Sequence, residues 1–118
     1  MTAFHTAVLA ALPDDHATAT LAGRVWRPDV DGPSVIAIRN GAAIDVTAVF
    51  ATMRDLCEQP DPAAALRAAP GTSLGAIADI LANTPADGRD PAQPWLLAPI
   101  DLQAVKAAGV TFVASMLE

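Results

Sequence analysis

Two histidines, His5 and His16, and the acidic pair Asp14 and Asp15 are the side chains near the amino terminus that could gather a metal. Their spacing matches no recurrent ligand pattern, and short polar clusters near a terminus are ordinarily solvated. Ser34, Ser73 and Ser115 supply hydroxyls that would need a histidine and a carboxylate beside them to act as nucleophiles. Local roles account for them: Ser34 opens an extended segment, Ser73 stands where a helix needs a cap, and Ser115 falls in a final helical turn. Gly71 and Gly75 are not followed by the Lys-Ser or Lys-Thr that completes a phosphate loop. Cys57 is the only cysteine, so no intrachain disulfide forms, and Leu56 and Glu58 beside it give no activating cation. Trp26 and Trp95 read as core or interface anchors, and Glu118 taken alone as an exposed helix carboxylate. No convergent catalytic constellation is visible, and a small enzyme using its own carboxylates ranks last among the readings.

The elements that would position these side chains are clearer. Thr18 to Trp26 mixes Leu21, Val25 and Trp26 with threonines and suits a strand, and the turn-rich Arg27 to Pro33 suits a loop. Ser34 to Arg39 and Ala42 to Val46 flank Asn40-Gly41, a pair that tolerates the positive φ of a type I′ turn, so a β-hairpin is expected. From Thr52 the apolar period becomes helical: Met53, Leu56 and Cys57 share a face, with Thr52 as N-cap. Asp61 caps a second helix with Pro62 at its first position and Leu66 as its core anchor. A third helix is expected to start at Thr72 or Ser73 and to present Leu74, Ile77, Ile80 and Leu81 to the core. Pro85 to Pro94 reads as a loop and Trp95 to Ile100 as an extended segment confined to an edge or an end by Pro99. The expected fold class is α+β: a small antiparallel sheet built around the hairpin, with short helices packed on one side. The short apolar run Ala7 to Leu12 fits either a helical turn or an arm.

At 118 residues the chain is the size of one compact domain, and its 53% apolar content and mean hydropathy of +0.36 point to apolar surface covered by a neighbouring domain or subunit. The net charge of −6 and the scattered basic residues argue against nucleic acid and against an anionic membrane surface. No signal peptide is read at the amino terminus, and no apolar run approaches the length needed to cross a bilayer. A reducing cytoplasm is the expected location. The helical spacing of Val113, Met116 and Leu117 runs to Glu118 without a stop signal, which suggests a chain truncated inside a helix.

The segment from Trp95 through Leu-Leu-Ala-Pro-Ile to Glu118 resembles the junction that opens the catalytic domain of the fumarylacetoacetate hydrolase superfamily. Members carry an "L-x-A-P-I/V" strand and then "G-x-N-Y-x-x-H-x-x-E". Gly109 matches the glycine, Thr111 and Phe112 stand at Asn-Tyr, Ser115 stands at the histidine, and Glu118 matches the glutamate. Upstream, Gly23-Arg24-Val25-Trp26, Gly32-Pro33-Ser34, the Asn40-Gly41 hairpin with Asp45, and Thr52-Met53-Arg54-Asp55-Leu56 resemble the sugar-acid branch of that superfamily.

The resemblance implies an amino-terminal α+β domain over residues 1–94 and, over 95–118, the junction and start of a catalytic domain. It implies that Glu118 and Ser115 take the positions of the family's catalytic dyad, and that a divalent metal, magnesium in most members, is bound by carboxylates beyond these 118 residues. No cofactor is expected within them. Serine is a poor base at neutral pH where histidine is a good one, so the resemblance favours dehydration of 2-keto-3-deoxy sugar acids over hydrolysis of acylpyruvate-like substrates for the longer enzyme. The implied partners are the chain's own carboxy-terminal catalytic domain and a second copy in a homodimer. The competing expectation is a free-standing interaction or oligomerisation module without catalysis.

Overall fold

The computed structural model describes residues 10–102. They form an antiparallel five-stranded sheet in the order β4-β3-β2-β1-β5, with three short helices, an α+β fold. The strands are β1 (Leu21–Arg27), β2 (Gly32–Arg39), β3 (Ala42–Asp45), β4 (Thr72–Ala76) and β5 (Trp95–Leu97), and the helices are α1 (Met53–Cys57), α2 (Pro62–Ala68) and α3 (Ile77–Ala82).

The hairpin between β2 and β3 turns at Asn40 (φ 51°) and Gly41 (φ 76°), the two positive angles that a type I′ turn requires. That turn fixes the register Arg39 to Ala42 and Ile36 to Asp45. β2 is the central strand, and its run Val35, Ile36, Ala37 is buried without a break, because successive side chains enter cores on opposite faces of the sheet. On one face Val35 and Ala37 pack with Val46, Phe50, Met53, Leu56, Leu66 and Ala69, so this side is covered by α1 and α2. On the other, Ile36 and Val25 pack with Ala43, Ile77 and Ile80, with Leu12, Ile38 and Leu96 at the margin.

The capping chemistry of α1 and α2 is as the sequence dictates: Thr52 Oγ1 accepts from the Asp55 amide and Asp61 Oδ1 from the Ala64 amide, with Pro62 opening α2. The third helix differs from expectation in two ways. Thr72, Ser73 and Leu74 belong to β4, which pairs with β3 through Asp45 to Thr72 and Ile44 to Ser73, so α3 starts only at Ile77. Ser73 caps no helix; its hydroxyl accepts from the Gly75 amide at 3.2 Å. The physical reason is the open edge of β3, whose main-chain groups need partners, and Gly71, where a Cβ would collide with the Asp45 carbonyl. The second difference is the side on which α3 packs. Its Ile77 and Ile80 join the core of Val25 and Ile36, the face away from α1 and α2. One-sided packing therefore holds for the first two helices, and α3, starting at the sheet edge where β4 ends, closes the other face.

Candidate functional site

β5 is a strand of three residues, too short to hold itself in place, and four sets of contacts position it. It pairs with β1 through Arg24 to Leu97, Val25 to Leu96 and Trp26 to Trp95. The indoles of Trp26 and Trp95 stack with centroids 6.3 Å apart and planes inclined by 27°. The Arg89 guanidinium lies 4.6 Å from the centre of the Trp95 ring, a cation–π contact. At the strand's outer edge the Leu96 amide donates to Thr84 Oγ1 at 3.0 Å, and the Thr84 hydroxyl in turn donates to the Ile80 carbonyl at 2.7 Å. The loop of residues 84–94 is itself folded round Asn83, whose side-chain amide donates to the carbonyls of Asp90, Gln93 and Pro94 and accepts from the Asp90 amide.

Beyond β5 the chain is clamped from two directions. Arg24, half-buried on β1, donates from Nη1 to the carbonyl oxygens of Ala98 (3.2 Å) and Ile100 (2.7 Å), and its Nε lies 3.6 Å from Asp101 Oδ2. The Asp101 carboxylate accepts from the amides of Met53 (2.7 Å) and Arg54 (3.1 Å). These are two of the four amides that the start of α1 leaves without an intrahelical acceptor, and Thr52 serves a third. Asp101 thus completes the cap of a helix more than forty positions earlier in the chain. Burial would push its carboxyl up, but the amides of Met53, Leu102 and Arg54 and the charge of Arg24 hold it below the ordinary aspartate value. Arg24, Ser34, Thr52 and Asp101 line a cleft of about 140 Å³ at this junction.

A second polar centre lies on the opposite face of β1. Asp45 accepts from Arg27 Nη1 at 2.7 Å and from the Thr47 amide at 2.9 Å, while Thr47 Oγ1 accepts from the Val35 amide. Ser34 is buried and bonds to the same carboxylate. Desolvation acts to raise the Asp45 carboxyl, and the hydrogen bonds from Thr47, Arg27 and Ser34 outweigh it, leaving it below the usual range. Asp45 is engaged by Arg27, Thr47 and Ser34, and Arg27 also by Asp29, so this centre ties β1, β2 and β3 together.

Ser115 and Glu118, the residues at the dyad positions, lie outside the described residues, as do His5, Gly109, Thr111 and Phe112. His16 and Ser34 line different clefts, His16 with Arg39 and Arg67, and Ser34 with Arg24 and Asp101. Among the described residues no group of three or more His, Cys, Asp or Glu side chains is placed to hold a metal. Asp45 and Asp101 are engaged by cationic and amide donors, so neither fits a metal-ligand role. Cys57 is exposed. Residue type and spacing do not single out Arg24 and Asp101, since they are joined only by the fold. No helix among the described residues is long and apolar enough to cross a membrane. Compared with known protein families, curated proteins and solved structures, the chain matches none.

Proposed function

We propose that this chain is the amino-terminal supporting domain of a cytoplasmic, metal-dependent enzyme acting on 2-keto acids, a dehydratase of 2-keto-3-deoxy sugar acids in preference to a hydrolase of acylpyruvate-like substrates. The reading rests on the resemblance of the junction segment and is supported by one geometric observation. Asp101 caps α1 while Arg24 holds the carbonyls of Ala98 and Ile100, so the segment that follows β5 is held at a fixed place against β1 and α1. A supporting domain needs that property, because a catalytic unit that follows it must be set in register with whatever surface covers the site. Ile100 and Leu102, exposed at 45% and 62%, sit on this segment and suit contact with such a unit or with a second copy in a homodimer. The proposed role for the described residues is positional: no proton transfer is assigned to Arg24 or Asp101.

The test is to express the encoded product continuing past Glu118 and assay it with 2-keto-3-deoxy sugar acids and with acylpyruvates, with and without magnesium. Chelator-sensitive dehydration that Asp101→Ala weakens supports the reading. A reading frame that stops at Glu118, with no turnover, overturns it and favours the second reading, an interaction module, for which the exposed Val30, Val49, Ile100 and Leu102 are the favouring observation.

A further inference from the structure

A cleft of about 270 Å³ opens between residues 16–21, the end of the β2–β3 hairpin and the last turn of α2. It shares no lining residue with the junction at Arg24 and Asp101. Its polar lining is His16, Thr18, Thr20, Arg39, Asn40 and Arg67, and no carboxylate lines it. In a chain with 13 acidic against 7 basic side chains that is an unexpected local excess of positive charge. Arg24, Arg27 and Arg54 each pair with a carboxylate, whereas Arg39 and Arg67 pair with none among the described residues.

Both guanidiniums are anchored at one nitrogen. Arg39 Nη2 donates to the Leu66 carbonyl, and Arg67 Nη1 donates to Thr20 Oγ1 at 3.1 Å. A guanidinium carries five N–H donors in a rigid fork, so one anchor orients the group and leaves other donors for an acceptor in the cleft. Capping the end of α2 does not account for the arrangement, because a helix carboxy terminus supplies only about half a negative charge against two full positive ones.

We propose that this cleft binds a small oxyanion, a phosphate or a carboxylate group whose oxygens are shared between the Arg39 and Arg67 forks, with the Thr18 and Asn40 side chains as further partners. The volume is just under the roughly 300 Å³ at which small-molecule sites begin, which suits inorganic phosphate or a short carboxylate such as pyruvate. Arg–oxyanion pairs of this kind are charge-assisted and bidentate, and they are stronger where neighbouring carboxylates do not compete.

The 118-residue chain is titrated at constant ionic strength, separately with sodium phosphate, with pyruvate and with chloride, while amide shifts are followed by nuclear magnetic resonance. Saturable shifts at Thr20, Arg39 and Arg67 with phosphate, with pyruvate or with both are expected, and the stronger ligand identifies the source of the oxyanion. Arg67→Gln, an exposed position, should weaken that binding about tenfold while the thermal midpoint stays within error. Arg39→Lys keeps the charge but loses the fork, and should weaken binding as well. Chloride shifting the same amides equally, no saturation with either oxyanion, or unchanged affinity in folded Arg67→Gln would each overturn the proposal and leave the two arginines as helix and turn anchors only.

Discussion

Arg24 and Arg27 leave opposite faces of the same strand; Arg24 meets Asp101, and Arg27 meets both Asp45 and the neighbouring Asp29. Arg27 reaches Asp45, eighteen positions along the chain, across strands that β2 already joins on both sides. Arg24 reaches Asp101 and the carbonyls before it, a segment tied to the sheet by only three residue pairs. The first pair is part of a network enclosed by structure that forms around it. The second is itself much of what holds its segment. Two ion pairs of similar composition therefore differ in what their loss exposes: the Asp45 site would leave orphaned donors inside the fold, and the Asp101 site would release a peripheral strand and the start of α1.

Removing each aspartate separates the two cases. Asp45→Ala leaves the Thr47 amide and the buried Ser34 hydroxyl without their acceptor and the Arg27 guanidinium with Asp29 alone, and should cost about 2–3 kcal/mol of global stability. A urea transition should shift as a whole, with protection lost across β1, β2 and β3 together. Asp101→Ala should cost less, about 1–2 kcal/mol, because the freed amides of Met53 and Arg54 can turn to water. Its effect should be local, with faster amide exchange at Met53, Arg54 and β5 and little change at Ile36. Arg24→Met keeps the packing of the stem and removes the donors to Ala98 and Ile100; about 1 kcal/mol is expected, read as a lowered thermal midpoint.

Acid gives the smallest and most graded contrast. Both carboxyls sit below the ordinary aspartate value of about 3.9, so each contributes stability that is fully present above that pH and is lost as pH falls through its folded value. Carboxyl carbon shifts followed from pH 6 downward should report both titrations below about 4. In Asp101→Ala the local loosening of α1 and β5 should no longer depend on pH, while the Asp45 component persists.

Much of this architecture was legible in short-range chemistry. Asn40-Gly41, Thr52 and Asp61 with Pro62 specify their turn and caps within a few residues, and the structure places each where those residues require. The segment after Gly71 was misread because Leu74, Ile77 and Ile80 satisfy a helical period whether or not the helix includes them all, and only the open edge of β3 decides that Leu74 sits on a strand. The unbroken run Val35, Ile36, Ala37 carried a signal for cover on both faces that the one-sided expectation left aside. Arg24 and Asp101 could not be joined by spacing, since what connects them is the pairing of β5 with β1. The dyad positions Ser115 and Glu118 fall outside the described residues.

The most direct measurement of the central claim, that Asp101 and Arg24 fix the chain as it leaves the sheet, is residue-resolved amide hydrogen exchange in the 118-residue chain and in Asp101→Ala. The expected result is protection of the Met53 and Arg54 amides in the parent chain and its loss in the variant, together with faster exchange at Leu96 and unchanged protection at Ile36. Met53 and Arg54 exchanging at unprotected rates in the parent chain, or keeping their protection in the variant, would contradict it.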